Sequence, residues 1–458
     1  MIDPDEISAK SQELDVHVAN VERDYVFGWL LKGIYENEYL RRRLVFKGGN
    51  CLRKAFYPDT RFSSDLDFSA ESELDVDVLA AEVNRCCEAV GAICGVEFIT
   101  DRNTFAEGPA LDRQRRSYKG RVYFTDFSGQ QDDLTISVKV DVTDFDRLHL
   151  PAVTRPLIHG YSDGAACTAD LVCMSLEEIV ANKLKCLIQR RHSHDLFDLV
   201  YATFIDRSIE VDRGQVMRTF FGKTIFRSSP AAAKEILLGI PMTFFGGVWD
   251  RYIRCPSTTR FGFDRAAKGF RQSIETLFEG VSGSDHGERL FFGAEHRNAI
   301  MEAGAARKVL RLSYDGVERM VEPYALSYKQ AAGKPAREYF YGYDLTGGRT
   351  TPPGIKSFLN TGVERIDVTD DVFEPRYDIE LAKAGEEARR GYFGKQFPAQ
   401  GRAPRTPRLF RKPFQQTYRV QCPYCQKVFQ RTTTSLDLRK HKSPDGYPCR
   451  ARRGMRLF

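Results

Sequence analysis

The sequence lacks the features that mark membrane and secreted proteins. It has no apolar run long enough to span a bilayer, and its N-terminal stretch, MIDPDEISAK, is acidic and polar, unlike a secretory signal. Its 11 cysteines are scattered along the chain and form no small disulfide framework. We therefore expect a cytoplasmic protein with no membrane partner.

The 458 residues suffice for two or three domains, and contents of 42% hydrophobic and 28% charged residues are ordinary for a soluble globular protein. The charge is unevenly distributed. From Arg389 onward the sequence has 18 Lys/Arg and 2 Asp/Glu, a net +16, and the preceding part has 50 basic and 60 acidic residues, a net −10. Such a basic tail is typical of binding to nucleic acid; the alternative is a disordered tail that improves solubility.

Apolar periodicity and turn residues together predict an α+β fold in four segments. Helical periodicity is found at residues 18–35, 74–90 and 175–191, and strand-like runs at 44–46, 122–124 and 136–142. Short β-like runs at 309–314, 320–328, 338–343 and 363–368 are separated by Gly and Pro, which predicts a small barrel. The predicted segments are a first domain at 1–280, the barrel at 290–382, a basic linker at 383–414 and a small unit at 415–458.

A glycine pair follows the first short strand, and two aspartates follow the glycines. Gly48 and Gly49 allow the backbone to turn tightly and to approach a ligand closely. Because side chains alternate across a strand, Asp65 and Asp67 point to the same face. Two neighbouring carboxylates repel each other, and a divalent cation such as Mg²⁺ allows both to stay ionised. This pattern predicts chemistry on a nucleoside triphosphate; the alternative is a surface turn followed by solvated aspartates.

A phosphoryl-transfer site with two metal ions needs a third carboxylate on a neighbouring strand. Asp141 ends an alternating strand and fits this requirement, while Asp144 and Asp146 in the following loop are competitors. Two Mg²⁺ ions at such a site lower the pKa of the attacking hydroxyl and offset the charge of the transition state. Asp141 is also a candidate general base. The alternative is a solvated aspartate at the end of a strand.

Lys183 lies within the apolar face of the predicted helix at 175–191. A lysine in that position must extend to solvent or find an anion, and a triphosphate is a candidate. Asp195 and Asp198 follow, three residues apart and on one helical face. Asp195 is a candidate to position Lys183 or to contact a ribose. A structural ion pair is the alternative.

Four metal-binding residue types occur near the C-terminus with the spacing C-x2-C-x15-H-x7-C. They are Cys422, Cys425, His441 and Cys449. Three thiolates and one imidazole suit a tetrahedral, structural Zn²⁺ site; the alternative is unrelated thiols in a flexible tail. Aromatic and basic residues around them are candidates to bind nucleic acid. These residues are Tyr418, Tyr424, Phe429, Arg431, Arg439, Lys440 and Arg450.

Residues 46–68, FKGGNCLRKAFYPDTRFSSDLDF, closely resemble the nucleotidyltransferase toxins of the AbiEii/AbiGii type, which include the MenT toxins. The family pattern is Phe-Lys-Gly-Gly-Thr-x-Leu-x-Lys followed by Arg-x-Ser-x-Asp-Leu-Asp-Phe. Residues 21–26 resemble its Val-x-Lys-Asp-Tyr helix, residues 138–141 its third-carboxylate strand, and residues 175–201 its later Lys and Asp helix. The resemblance covers about residues 7–201.

The resemblance implies a polymerase-β-like core that transfers a nucleotide from an NTP to an acceptor, in several family members the 3′ end of tRNA. Such transfer blocks translation, either in a toxin–antitoxin pair or in abortive phage defence, and an antitoxin partner is often encoded beside the toxin. By position, the family's phosphate-binding residues correspond to Lys47, Gly48, Gly49 and Ser63 or Ser64. Its metal-binding residues correspond to Asp65, Asp67 and Asp141. Its later charged residues correspond to Lys183 and Asp195. Asn50 replaces a family Thr, and His194 replaces a family Arg. Both replacements concern the choice of nucleotide more than activity.

The middle segment resembles a WYL domain, an Sm-like β-barrel that binds nucleic acid or nucleotide ligands in bacterial regulators. The matching residues lie at 321–324, 339–343 and 371–373, although a literal Trp-Tyr-Leu triplet is absent. This resemblance implies ligand sensing or positioning of RNA.

Three functions therefore compete. The first is transfer of a nucleotide to tRNA or another RNA acceptor. The second is the same chemistry on a protein hydroxyl. The third is a nucleic-acid-binding regulator with an inactive transferase fold, against which the presence of Asp65, Asp67, Asp141 and Lys183 argues.

Overall fold

The computed structural model describes residues 2–108, 116–126, 135–144, 147–281, 290–329, 337–347, 352–377, 379–381, 418–431, 433–443, 448–449 and 451–457. The predicted basic linker at 383–414 lies outside these residues. As predicted, the described chain is a mixed α+β protein. Of the helices in these ranges, none combines the length and the apolarity that crossing a membrane requires.

The described helices are, in chain order, α1 (Pro4–Leu14), α2 (Val18–Glu36), α3 (Glu38–Arg41), α4 (Gly48–Cys51), α5 (Val76–Cys94), α6 (Leu176–Gln189), α7 (Ser193–Val200), α8 (Arg213–Lys223), α9 (Pro230–Leu238), α10 (Met242–Gly246), α11 (Trp249–Tyr252), α12 (Phe263–Leu277) and α13 (Ala294–Ala306). Short π-helical turns occur at Leu52–Phe56 and Tyr201–Ile205, and 3₁₀ turns at Thr100–Arg102, Ile225–Ser228, Ser257–Thr259 and Asn360–Gly362. The helices predicted at 18–35, 74–90 and 175–191 are found as α2, α5 and α6.

The described strands are β1 (Leu44–Lys47), β2 (Asp65–Ala70), β3 (Thr104–Glu107), β4 (Ser117–Thr125), β5 (Thr135–Thr143), β6 (Val153–Pro156), β7 (Asp170–Cys173), β8 (Lys308–Tyr314), β9 (Val317–Lys329), β10 (Arg337–Asp344), β11 (Gly354–Leu359), β12 (Val363–Val372), β13 (Tyr418–Gln421), β14 (Val428–Arg431), β15 (His441–Lys442), β16 (Pro448–Cys449) and β17 (Met455–Leu457). The predicted strands are found as β1, β4, β5, β8, β9, β10 and β12, with different ends.

The residues group into two units. The first comprises Met1–Ile179, Val248–Phe263 and Phe414–Phe458, and the second comprises Val180–Gly247 and Asp264–Pro413, so that the division passes through α6. The sequential segments at 1–280, 290–382 and 415–458 stay predictions.

The first unit is built on a seven-stranded sheet with the order β3-β4-β5-β2-β1-β7-β6. At its centre β2 runs parallel to β5 and antiparallel to β1. Helix α2, which packs on this sheet and on α5, is buried on nearly every side, with Val21 and Tyr25 fully buried. A charge inside α2 is compensated, because Asp24 accepts Arg53 at 2.8 Å and Lys54 at 2.9 Å. These pairs fix α2 to the segment that follows the glycine pair.

The second unit contains a five-stranded antiparallel sheet with the order β11-β10-β9-β8-β12. Helix α13 packs on β8, β9 and β12 and contributes Ile300 and Ala303 to a core that also holds Leu310, Val321 and Phe340. Among the described residues this sheet has two edge strands, β11 and β12, and does not close into a barrel. The predicted Sm-like barrel is therefore not confirmed.

The C-terminal part of the first unit has a small core of its own. A three-stranded sheet, β14-β13-β17, and the β15-β16 pair surround it. Val420, Leu438 and Ala451 are buried there beside the thiols of Cys422 and Cys425. A structural metal can cross-link a core of this size.

Candidate functional site

Three carboxylates meet at the centre of the seven-stranded sheet. Asp65 and Asp67 lie on the same face of β2, and the parallel register places Asp67 opposite Asp141 of β5. All three side chains are partly exposed, and a ligand oxygen from each lies within 4.8 Å of the others. The third carboxylate is thus Asp141. The competitor Asp144 instead accepts a hydrogen bond from the backbone N–H of Arg116 at 2.6 Å, and the other competitor, residue 146, lies outside the described residues.

The carboxylate cluster fits a divalent cation. Two oxygens that share one Mg²⁺ ion lie about 3 to 4 Å apart, and the spacing within 4.8 Å in the cluster is compatible with coordination after small side-chain shifts. Burial, and next the negative charge of Asp65, raise the pKa of Asp141. Neighbouring cations oppose this shift only in part. A bound cation would favour the ionised form of Asp141, and hard carboxylate oxygens suit Mg²⁺.

The glycine pair permits close approach to these carboxylates. Gly48 has a φ of +82°, and a Cβ atom placed on it lies 2.3 Å from Oδ2 of Asp67. A Cβ atom on Gly49 lies 3.1 Å from the hydroxyl of Ser63. The predicted turn is in fact the start of helix α4, which continues into the π-helical turn. Only glycine fits at residue 48, because both the backbone angle and the adjacent carboxylate exclude a side chain.

Polar contacts hold the first aspartate in place. The hydroxyl of Ser63 donates to Oδ1 of Asp65 at 2.9 Å, and the side-chain amide of Asn50 donates to the carbonyl of Asp65 at 2.6 Å. Ser64 is exposed, and its carbonyl accepts from Nε2 of Gln426 at 3.4 Å. Of the two predicted serines, Ser63 is therefore the one that contacts a carboxylate of the cluster.

A row of cations crosses the same face of the sheet. Lys47 pairs in register with Asp67, and its Nζ donates to Oγ1 of Thr143 at 2.7 Å. In the β4–β5 ladder, Lys119 lies opposite Asp141 and Arg121 lies opposite Lys139. The positive charges of Lys139, Lys119 and Arg121 all act on Asp141. Three carboxylates surrounded by four cations can hold metal ions and phosphate groups side by side.

Sequence reasoning missed three of these cations: Lys119, Arg121 and Lys139. The sequence signal that could have indicated them was charged residues at every second position, in Lys-Gly-Arg at residues 119–121 and in Lys-Val-Asp at residues 139–141. Alternation places Lys139 and Asp141 on one face of their own strand. It does not reveal which residues of β4 lie opposite them.

The second unit holds the other predicted site residues. Lys183 is 8% exposed and donates to Asp195 at 3.1 Å and to Asp198 at 2.7 Å. Arg190 also contacts Asp195, with Nε at 2.8 Å from Oδ2. Burial opposes ionisation of Asp195, but Lys183 and then Arg190 outweigh it and hold its pKa well below the ordinary value. The structural ion pair is thus present, and a role of these residues toward the nucleotide stays a prediction.

Asp195 is paired with a guanidinium although residue 194 is His. The guanidinium that contacts Asp195 belongs to Arg190, at the end of α6, with a second bond from Nη2 to Oδ1 at 3.0 Å. The replacement in sequence therefore does not remove the ion pair from Asp195.

The four predicted zinc ligands lie together as a candidate metal centre. Their ligand atoms, from Cys422, Cys425, His441 and Cys449, lie within 4.8 Å of one another. The Sγ atoms of Cys422 and Cys449 are 3.7 Å apart, and Sγ of Cys425 is 3.5 Å from Nε2 of His441. A tetrahedral Zn²⁺ with ordinary bond lengths separates two sulfurs by about 3.8 Å and a sulfur and a nitrogen by about 3.6 Å. The donor set and its spacing thus fit zinc.

The surroundings of this centre orient its ligands. Nδ1 of His441 lies 3.0 Å from the carbonyl of Arg439, a hydrogen bond that leaves Nε2 facing the thiols. Gln426 has a φ of +59°, and its N–H donates to the carbonyl of Cys422 at 3.0 Å. This tight turn brings Cys425 back beside Cys422. With four protein ligands the centre has no open position for a substrate, which is typical of a structural site.

Comparison with known families identifies the part of the chain that carries the carboxylates. Residues 29–218 match the family model described as nucleotidyl transferase AbiEii toxin, type IV TA system. The matched residues include β1, β2 and β5, and also α6 and α7. The match shows that this segment is similar to the nucleotidyltransferase toxins of type IV toxin–antitoxin systems. The five-stranded sheet and the Cys/His centre lie beyond the matched residues.

Among solved structures, the chain is similar to the nucleotidyltransferase toxin MenT4 from Mycobacterium tuberculosis H37Rv. The two are 20% identical, and the similarity covers 60% of this chain and 89% of MenT4 with a TM-score of 0.36. Comparison with curated proteins gives no match.

Proposed function

We propose that this protein is a Mg²⁺-dependent nucleotidyltransferase that moves a nucleotide from an NTP to the 3′ end of tRNA. It acts as the toxin of a toxin–antitoxin pair in anti-phage abortive infection, in the cytoplasm, with an antitoxin as its protein partner. The observation that carries the proposal is the cluster of Asp65, Asp67 and Asp141, whose ligand oxygens lie within 4.8 Å of one another inside the segment that matches the toxin family.

The residues around the cluster have separate roles in nucleotide transfer. Two bound Mg²⁺ ions would supply activation of the acceptor hydroxyl and neutralisation of phosphate charge. Asp65, Asp67 and Asp141 hold these ions, and Ser63 fixes the first carboxylate through its 2.9 Å hydrogen bond. The carboxylate of Asp67 lies directly against Gly48, a contact that any side chain at residue 48 would prevent. Backbone amides of the glycine pair contribute to binding of the triphosphate beside the carboxylates.

Cations beside the carboxylates favour a triphosphate over an uncharged substrate. Asp67 and Asp141 are neighbours across the β2–β5 pair, and Lys47 of β1 and Lys119 of β4 lie in register on either side of them. Arg121 lies two residues further along β4. Such residues bind the phosphates of the NTP and stabilise the charge that develops during in-line transfer. We also assign nucleotide binding to Lys183 and Asp195, in line with the family.

The C-terminal unit supplies a surface for the RNA acceptor. Phe429, Arg431, Arg439 and Lys440 line an open depression of about 510 Å³. An aromatic ring next to three cations binds single-stranded RNA by stacking on bases and by contacts to phosphates. The strong positive charge of the sequence from Arg389 onward adds attraction for tRNA. Structural zinc at the Cys/His centre keeps this surface folded, and the five-stranded sheet acts as a WYL-like sensing element.

The test is transfer of label from an NTP in the presence of Mg²⁺. Purified protein should label tRNA, and an Asp65→Asn/Asp67→Asn variant should reduce labelling by more than about 10³-fold, because it removes charge at the point where the transition state needs it. Asp77→Asn, an exposed carboxylate at the start of α5, is the matched control and should leave the rate unchanged. Equal labelling by the double variant and the wild type would remove these carboxylates from the mechanism.

The same reaction in cell lysate identifies the acceptor. Label that RNase removes and protease leaves supports the RNA acceptor. Label that only protease removes indicates a protein hydroxyl and would refute the tRNA assignment. Toxicity in cells that persists in the Asp65→Asn/Asp67→Asn variant would refute transfer as the cause of toxicity.

A further inference from the structure

The loop between the first two thiol ligands lies against the strand that carries Asp141. Strand β2 begins at Asp65 and pairs with β5 only from Lys139 onward. The backbone of Ser137 therefore lies beyond the end of this pairing. Its N–H donates to the carbonyl of Tyr424 at 3.4 Å. The metal-binding loop thus continues the hydrogen bonding of β5 at the point where β2 stops.

Arg23 of helix α2 donates hydrogen bonds to both sides of this contact. It is 3% exposed, and its Nε donates to the carbonyl of Ser137 at 3.2 Å. Its Nη2 donates to the carbonyl of Tyr424 at 3.0 Å and also to that of Pro423. Burial lowers the pKa of Arg23 to about 10. A buried guanidinium is tolerated only while these carbonyls accept its protons, so the loop and the helix depend on each other.

A second contact reaches the aspartate strand directly. Nε2 of Gln426 donates at 3.4 Å to the carbonyl of Ser64, the residue before Asp65. Gln426 is 5% exposed and follows the ligand Cys425. With a left-handed backbone angle of +59°, it closes the tight turn that begins at Cys422. The conformation that brings its amide to Ser64 is therefore the conformation in which both thiols face the metal centre.

We propose that the Cys/His centre is a positioning element of the transferase site, so that the metal it binds controls nucleotide transfer. With the metal bound, the loop from Pro423 to Gln426 is held against Ser64 and Ser137. Ser64 directly precedes Asp65 and strand β2, and Ser137 precedes Asp141 on β5. Loss of the metal frees the loop, and both carboxylate strands lose an anchor on the same side. This inference rests on the proposed transferase function, and it assigns the centre a catalytic consequence beyond folding of the C-terminal unit.

The first test removes zinc from the full-length protein with a chelator selective for zinc, while Mg²⁺ is kept in excess. Transfer should fall by about tenfold or more, because small displacements of reacting groups have effects of this size. Hydrogen exchange at the amide of Ser137 should become faster, and added zinc should reverse both changes. Release of one equivalent of zinc with unchanged transfer and unchanged exchange would overturn the inference.

The two proposals can fail separately. Absence of transfer by zinc-loaded wild-type protein would refute the proposed function. Hydrogen exchange at Ser137 and at residues 64–67 then tests the inference without an activity assay. Slower exchange in the presence of zinc supports the loop contact, and an exchange rate that does not depend on zinc overturns it.

The second test leaves all four ligands in place. Gln426→Ala should retain one equivalent of zinc and an unchanged unfolding midpoint, yet raise the Mg²⁺ concentration for half-maximal transfer about threefold to tenfold. Arg23→Lys should act in the same direction, because an ammonium cannot donate to three carbonyls in the planar geometry of a guanidinium. Gln12→Ala, an exposed glutamine of α1, is the matched control. Wild-type Mg²⁺ dependence in both variants would show that the contact has no role in positioning.

Discussion

Replacement of Gly48 by alanine tests the geometry of the carboxylate cluster with a single methyl group. The added Cβ lies 2.3 Å from Oδ2 of Asp67, whereas carbon and oxygen atoms in close contact are separated by about 3.3 Å. The carboxylate must therefore move by about 1 Å, and a displacement of this size at a reacting centre reduces the rate by about 10²-fold. The φ of +82° adds a backbone cost, roughly 1–2 kcal/mol for a residue with a side chain.

The assay combines steady-state transfer with urea unfolding. Gly48→Ala should lower kcat by about two orders of magnitude and lower the free energy of unfolding by roughly 1–3 kcal/mol. Gly160→Ala is the control, because Gly160 belongs to the same unit and a Cβ atom on it has open space around it. If Gly48→Ala transferred nucleotide within twofold of the wild-type rate, residue 48 would not lie beside the reacting groups, and the placement of the triphosphate would be wrong.

Further changes probe charge, packing and metal. Asp141→Asn should abolish transfer, yet raise the urea midpoint at neutral pH without divalent cations. The pKa of Asp141 is raised in the folded state, so the stability that is present below the unfolded-state pKa is lost as pH rises through the folded-state pKa. An unchanged or lower midpoint would contradict this prediction. Lys183→Ala leaves two buried carboxylates short of a partner and should lower the free energy of unfolding by about 3–5 kcal/mol; the exposed Lys268 is its control, and equal effects would refute the buried ion pair. Cys422→Ser/Cys425→Ser should lose about one equivalent of zinc by elemental analysis; retained zinc would reject the centre.

Local patterns in the sequence were sufficient where a site depends on short spacing. Alternation placed Asp65 and Asp67 on one face, and the structure brings Asp141 to them through the β2–β5 register. The spacing of two Cys, one His and one Cys gave the four residues that the structure gathers into a candidate metal centre. In both cases one periodic element, a strand or a tight turn, fixes most of the geometry.

Features that depend on contacts between distant segments were not predictable from a single sequence. Lys119 reaches the carboxylates only through the β4–β5 register, and the pairing of strands is not written in the alternation of either strand alone. The contacts of Arg23 with Tyr424 and of Gln426 with Ser64 join residues about 400 and 360 positions apart. The sequence predicted a C-terminal unit that binds metal and RNA, and it gave no signal that this unit contacts the carboxylate strands.

Strand number and closure of the five-stranded sheet show the same limit. Alternation and turn residues indicated four of its strands but not β11 (Gly354–Leu359), in which one residue, Phe358, is buried in the core. A prediction of barrel closure requires knowledge of which edges meet. The described edges, β11 and β12, are four positions apart in the sheet order and are not paired.

The most direct test of the central claim is binding of Mn²⁺, a spectroscopic substitute for Mg²⁺, measured by electron paramagnetic resonance with a non-hydrolysable NTP analogue present. The account predicts that wild-type protein removes the signal of free Mn²⁺ and that Asp65→Asn/Asp67→Asn and Asp141→Asn each weaken this binding by at least tenfold, roughly 1.4 kcal/mol, while Asp77→Asn does not. Wild-type affinity for Mn²⁺ in the variants of the three carboxylates would show that these groups do not share a cation and would contradict the account.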